Sequence, residues 1–254
     1  MKASAIIRIV VFSLVFLMLL GILLGGLCLN FFVEFIPSGD ETTIIREVPT
    51  GQFRNIEIDW AAGSVNVMVG YTDAIVIKET KDSNNPHTMV TEFDSSTLKI
   101  TYGSNTGFQL GVNTGKDLIV MIPKQWHINN LEINGAALEV NVENVNLNSI
   151  KLNGAAMDMT FKGELRNLEC GGAGAKLDIT CNNSINSVSV DGAGCQLDLK
   201  LPGKCGFNLT SEGLGMNFES EFKYAKNGST YTYGNEHCKI DVSGLACKVS
   251  VNPS

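Results

Sequence analysis

Leu131-Glu-Ile-Asn-Gly-Ala-Ala-Leu-Glu-Val-Asn-Val142 is followed eight residues later by Ile150-Lys-Leu-Asn-Gly-Ala-Ala-Met-Asp-Met-Thr-Phe161. The two words share one pattern: apolar-x-apolar-x-Gly-small-small-x-x-apolar-x-apolar. The pattern continues in Leu168–Ile179 around Gly172 and in Val188–Leu199 around Gly192. Looser copies follow in Leu209–Ser220 around Gly213 and Ile240–Val251 around Gly244. An early relative, Ile56–Val67, carries Trp60 at the glycine position. The key glycines are 19, 18, 20, 21 and then 31 residues apart.

On either side of each glycine, apolar and polar residues alternate, so each half reads as a short strand with one buried face. Glycine tolerates positive φ and close backbone approach, which places a bend between the halves. A unit of about 20 residues that cannot bury its own apolar face points to stacked rungs, with the burial supplied by neighbours. Stacking in chain order predicts two inward columns. One is Ile133, Leu152, Cys170, Val190, Ser211 and Val242; the other is Val140, Met159, Leu177, Leu197, Phe218 and Val249. Outward, Glu132, Lys151 and Glu169 would alternate in sign. Asn141, Thr160, Asp178, Asp198 and Glu219 would set three acids side by side, a run that needs solvent or a cation. Ser254 follows the last word closely, so the stack is expected to end on an uncovered rung.

The long interval before Gly244 holds Phe222, Tyr224, Tyr231 and Tyr233 around Asn227-Gly228, the strongest short signal for a type I′ hairpin. This insertion, about residues 220–236, is expected to protrude or to cover the last rungs. Its four alternating aromatics are the candidate partner contact. Upstream, Ala74–Glu79, Thr88–Phe93, Leu98–Tyr102 and Leu118–Ile122 read as further strands. Trp126 is a candidate cap of the repeat block, with a carbohydrate platform as the other reading.

Composition fits this picture. The chain has 44% hydrophobic and 18% charged residues, 26 glycines, 6 prolines and a net charge of -7. Ample apolar content excludes a disordered chain, and the acidic pI of about 5.0 disfavours nucleic-acid partners. Much of the apolar excess lies in Ile9–Val33, an uncharged run that as a helix could span a ~30 Å hydrocarbon core. Lys2 and Arg8 precede it, while Glu34, Asp40 and Glu41 follow. The positive-inside bias then puts residues 1–8 in the cytoplasm, a transmembrane helix at 9–33, a linker at 34–43 and an extracytoplasmic domain at 44–254. A cleaved signal peptide, or a lipoprotein site at Cys28, is the rival reading.

An anchor, a strand closing in Leu118-Ile-Val-Met-Ile-Pro-Lys124 and then the glycine words resemble the adhesin-like β-repeat family. Its domains are called toast-racks, and it includes Lia-type and phage-shock-related envelope proteins. The resemblance implies an all-β fold: a single-stranded β-solenoid-like (toast-rack) repeat stack preceded by one N-terminal transmembrane helix. It implies a place on the outer face of a bacterial membrane, in envelope-stress signalling or surface adhesion. It brings no catalytic motif.

The residues themselves point the same way. No nucleophile elbow, zincin or Walker pattern occurs, and Gly171-Gly-Ala-Gly174 reads as a repeat bend rather than a phosphate loop. His87, His127 and His237 are scattered, so no catalytic, cofactor or metal residue is assigned. Cys170, Cys181, Cys195, Cys205, Cys238 and Cys247 read as small core residues. Bridges Cys181–Cys205 or Cys238–Cys247 are the second possibility, and a zinc site near His237-Cys238 lacks a spaced partner pair. The function expected is a non-enzymatic binding or sensory module, anchored in the membrane, that meets an envelope protein or a cell-wall component. The alternatives are a self-assembling surface protein joined through its stack ends, and a polysaccharide-active enzyme using Asp158, Asp178 and Asp198.

Overall fold

The structure, a computed structural model, describes residues 41–51, 53–82, 87–94, 96–103 and 116–254. The anchor at 9–33, the segment 1–8 and the linker up to residue 40 lie outside the described residues. Among the described residues there is no helix, so none is long and apolar enough to cross a membrane.

Sixteen strands form one sheet system. The N-terminal strands are β1 (Glu41–Pro49), β2 (Asn55–Asp59), β3 (Ala62–Gly70), β4 (Ala74–Asp82), β5 (Val90–Asp94), β6 (Thr97–Thr101) and β7 (Lys116–Pro123). Three rungs then run as one extended ribbon, β8 (Ile128–Cys181), without a break at the glycines. The remainder are β9 (Ser187–Ala193), β10 (Gln196–Leu201), β11 (Phe207–Leu214), β12 (Asn217–Ser220), β13 (Ala225–Asn227), β14 (Thr230–Tyr233), β15 (Cys238–Leu245) and β16 (Lys248–Pro253). Residues 41–43, read as linker in the sequence, already belong to β1, where they pair with Asp82, Lys81 and Thr80.

The rungs stack in parallel and in register. Ile58 faces Ile133 and Val65 faces Val140; Cys170 faces Val190 and Leu177 faces Leu197. The rung strands alternate buried and more exposed positions, and their inward apolar residues join one hydrophobic cluster from Val48 to Val251. At the bends the key glycines pile up. A Cβ on Gly172 would meet the Gly154 carbonyl oxygen at 2.0 Å, and one on Gly192 would meet that of Gly172 at 1.9 Å. Of the six key glycines only Gly213 and Gly244 have positive φ. Close approach, rather than left-handed backbone, fixes glycine at the other four. Trp60 closes this column: its carbonyl oxygen lies where a Cβ of Gly135 would fall, and its indole donates to Lys116 O at 3.0 Å.

Polar side chains also stack. Asn153 donates to Asn134 at 2.8 Å, and Asn134 donates to Asp59 at 2.9 Å. Amide ladders of this kind satisfy donors and acceptors rung by rung.

Rung order departs from chain order at both ends. β15 and β16 lie between β9–β10 and β11–β12: Val242 pairs with Val190 on one side and with Ser211 on the other. The rung read as last in the stack is therefore next to last, and the rung of residues 207–220 stands outside it. The same exchange occurs at the N-terminal end. There β2 and β3 are sandwiched between β8 and the later strands β6 and β7. Antiparallel strands cover the outer rungs, β4 on β7 and β5 on β6 at one end and β14 on β11 at the other. The expected bare terminal rung is thus largely capped; only its β12 half has no outer partner strand.

Candidate functional site

The insertion folds back as a cap. β13 and β14 form a hairpin with Asn227 opposite Thr230, so the turn residues are Gly228 and Ser229. Only Gly228 has positive φ, 61°. A positive φ confined to the first turn residue is the type II′ pattern, not the type I′ expected from Asn-Gly. β14 then pairs antiparallel with Phe207–Thr210 of the end rung.

This pairing gathers the four predicted aromatics with Phe207 and Phe218. Phe222 stacks on Tyr233 at 4.5 Å between ring centres, and both flank Phe207 at 5.9 and 6.0 Å. Tyr231 lies 4.4 Å from Phe218, and Tyr224 lies 5.1 Å from the same ring. Such tilted and edge-to-face pairs add about 0.5–1.5 kcal/mol each beyond burial. Alternation therefore brings all four together but does not give them one role. Phe222 is buried and serves the cap. Tyr231 and Tyr233 are half-buried, and Tyr224 is 38% exposed. Lys226 stands 5.0 Å above the Tyr231 ring. A rigid aromatic surface with a cation at its rim can take up a ligand or protein side chain by stacking and hydrogen bonding from the Tyr hydroxyls. Phe218 sits at an inward position of its repeat word and Phe207 lies two residues before that word, so neither carries a sequence signal of a site.

Of the acids in the expected run, Asp178 and Asp198 are in-register neighbours, and the run stops there. Ser250 stands between Asp198 and Glu219, so the three-acid run is broken. Asp178 accepts from Lys200 at 3.2 Å. Asp158 lies in a different outward column and pairs with Lys176 at 2.9 Å. Of the three acids suggested for a polysaccharide-active enzyme, Asp178 and Asp198 are neighbours, and Asp158 and Asp178 each have a lysine partner. A polar depression of about 360 Å³ beside it is lined by Asn66, Glu139, Asn141, Asp158, Thr160 and Lys176, among others. Among the described residues no group of three or more His, Cys, Asp or Glu side chains is placed to hold a metal ion.

The six cysteines among the described residues are buried, unbridged thiols. Burial pushes Cys181 and Cys238 up to about 12 and Cys170 up to about 11. Cys238 opens the eight-residue strand β15 and Cys247 lies beyond its far end, so roughly 25 Å of extended strand separates them and a Cys238–Cys247 bridge has no geometric basis. Trp126 is half-buried at the N-terminal end, with its ring 6.3 Å from Phe53 and the Arg54 guanidinium 4.4 Å over it. It packs there as a cap residue.

One buried charge cluster was not read from the sequence. Lys116 and Glu79, both fully buried, form an ion pair. Lys116 Nζ also donates to Tyr102 O at 2.7 Å and lies 3.8 Å over the Tyr102 ring and 4.7 Å over Trp60. Glu79 accepts from Met89 N at 3.0 Å. Burial holds Lys116 below the usual lysine range, against the pull of Glu79. Its contacts tie β4, β7 and the start of β5 together under Trp60, which marks a structural lock rather than a reactive site.

A parallel stack with a glycine column at its bends and aromatic hairpin cover defines the molecule as a β-repeat scaffold. The profile of the family described as Toastrack DUF4097 matches residues 53–199, more than half of the chain, and the chain belongs to that family. The fold is shared with the crystal structure of a candidate cell adhesion protein from Clostridium sporogenes, at 13% identity and a TM-score of 0.53. That match covers 85% of this chain and all of the other. A candidate adhesin from Bacteroides fragilis matches at 10% identity and a TM-score of 0.50, over 85% of this chain and 98% of its own. No curated protein matches the chain.

Proposed function

We propose that the chain is a non-enzymatic binding module, held at the cell membrane by the apolar run 9–33 with its β stack outside. Its aromatic end engages an envelope protein or a cell-wall component, in a surface-adhesion or envelope-stress role. The observation that carries this reading is where apolar surface remains. Among the described residues the large exposed hydrophobics are Ile45, Tyr71, Val90, Phe93, Leu214 and Tyr224. Ile45, Val90 and Phe93 lie on the outer strands β1 and β5 of the N-terminal end, Leu214 and Tyr224 lie on the end rung and its cover, Tyr71 lies in a turn, and the rungs from 128 to 201 contribute none. Exposed aromatic surface on a rigid frame is the usual mark of a recognition site. The structures sharing the fold are described as adhesion proteins, which is in keeping with surface binding.

The test is site-specific photocrosslinking in intact cells from position 224, with position 160 on the broad polar face as the control. Enrichment of one envelope component from position 224 is expected. Crosslinks that arise equally from both positions would sink the assignment of the aromatic end. A second reading, self-assembly, is favoured by the outer edge of β12, which pairs only with β16. Recovery of only a second copy of the chain would select it.

A further inference from the structure

Cys195 and Cys247 stand three residues after their key glycines, Gly192 and Gly244. Stacking in chain order would put Met216 between them. The exchange of the last two rungs instead makes them direct neighbours. Ala193 pairs with Leu245 before them and Gln196 with Lys248 after them, so the two cysteines face each other in register on adjacent parallel strands. Lys248 N donates to Cys195 O at 2.8 Å, which fixes the spacing at this point. In-register neighbours lie about 4.8 Å apart, inside the roughly 4.4–6.8 Å Cα window of a disulfide. Both side chains are buried in the core, and Cys247 Sγ donates to the Gly192 carbonyl oxygen, on the strand that leads to Cys195, at 3.7 Å.

We infer that Cys195 and Cys247 form a disulfide between adjacent rungs, a covalent staple that fixes the exchanged rung in its slot. The loop it closes contains the whole end rung and its aromatic cover, so it constrains the part of the stack whose order is not set by chain sequence. Each thiol loses its proton, one S–S bond forms between the two Sγ atoms, and two electrons pass to an incoming small-molecule or protein disulfide. That oxidant leaves as two thiols by way of a mixed disulfide. The exchange takes place during folding. In the finished fold burial, with the neighbouring Cys247, pushes Cys195 up to about 12, and the thiolate needed for exchange is scarce. The pairing rests on rung order alone; only its occurrence in the cell rests on the outward orientation proposed above.

The full chain, reduced and unfolded in detergent, is refolded in a glutathione redox buffer, alkylated, digested without reduction and sequenced by mass spectrometry. One linked peptide pair joining Cys195 to Cys247 is expected. Its formation should raise the melting temperature by on the order of 10 °C. Cys195→Ala and Cys247→Ala should each abolish that rise, whereas Cys181→Ala should leave it. The same digest on protein taken from cells with thiols blocked at lysis requires no refolding. A bridge on refolding with free thiols in cells supports the pairing and counts against the outward orientation. Alkylated Cys195 and Cys247 thiols in both preparations, or a bridge among Cys181, Cys205 and Cys238, overturns the inference.

Discussion

Gly244 rests directly on Gly192, with the Gly192 carbonyl oxygen occupying the place where a Cβ on Gly244 would have to stand. The contact joins two words that are not consecutive in the chain, and it continues a column that descends through Gly172, Gly154 and Gly135 to Trp60. A methyl group anywhere in that column must push two rungs apart. Gly192→Ala is expected to destabilise the domain by about 2–4 kcal/mol, read as a lower urea midpoint, since overpacking against backbone has no cheap relief. Gly203→Ala is the control: it has open space and ordinary φ, and should be neutral or raise the midpoint slightly. Equal losses at the two positions would refute close packing as the reason for the repeat glycine.

Lys116 and Glu79 make a second demand on the fold. Glu79→Gln keeps the shape but leaves a buried ammonium without its counter-charge. A loss of about 3–5 kcal/mol is expected, because the uncompensated charge and not the missing bond sets the cost. Replacing both residues, Glu79→Leu with Lys116→Met, should recover most of the loss in chemical denaturation. If the double variant is no better than the single one, the pair contributes more than mutual neutralisation.

The order of the rungs predicts how charge is tolerated on the outer face. Ser250 separates Asp198 from Glu219. Ser250→Asp would rebuild a continuous acidic run with Asp178 and should cost about 1 kcal/mol at low salt, with part of it regained at high salt. Ser250→Lys should be neutral or stabilising. A salt-independent loss would place the effect in packing instead.

The glycine words, their buried alternation and the aromatic hairpin could be read from sequence because each is a local pattern. Rung order could not. The words around Gly213 and Gly244 present the same apolar columns, so either can stack on Val188–Leu199, and nothing local to Val242 or Ser211 says which lies beside Val190. The link from Leu201 to Phe207 carries the chain past one slot, and the chain returns through the hairpin to fill it. Phe222 and Tyr224 illustrate the same limit at the candidate site. Alternation put them on one face, but how much of each remains exposed depends on where Phe207 and Phe218 stand. Lys116 gave no signal at all, because a lysine in a turn-rich region reads as surface until Glu79 is brought to it by strand pairing.

Alkaline pH should weaken the reduced protein. Folded Cys181, Cys195 and Cys238 hold their protons up to about 12 and Cys170 up to about 11, whereas the unfolded thiols release theirs near the ordinary value of 9.0. Between those values the folded chain binds more protons than the unfolded one, so stability falls as pH rises. Below about pH 9 the contribution is intact, and above it each thiol takes away at most about 1.4 kcal/mol per pH unit. Lys116, held low by burial, acts in the opposite sense, but it is a single group. Urea midpoints at pH 8 and pH 10.5 should therefore diverge, and Cys238→Ala should narrow the gap. A gap unchanged by that substitution would remove the thiols as its cause.

The two halves of the aromatic cap should separate stability from binding. Phe222 is buried against Phe207 and Tyr233, so Phe222→Ala should cost about 3 kcal/mol and loosen the end rung. Hydrogen exchange would register this as lost protection in Phe207–Leu214, with β8 unchanged. Tyr224 is 38% exposed and touches the cap through Phe218 and Tyr231. Tyr224→Ala should cost no more than about 1 kcal/mol, in line with one aromatic pair at the surface, yet remove the crosslink recovered from the aromatic end when the photoreactive group is moved to position 226. If Tyr224→Ala leaves that crosslink at full yield while Phe222→Ala abolishes it, the partner reads the shape of the end rung and not its exposed tyrosine.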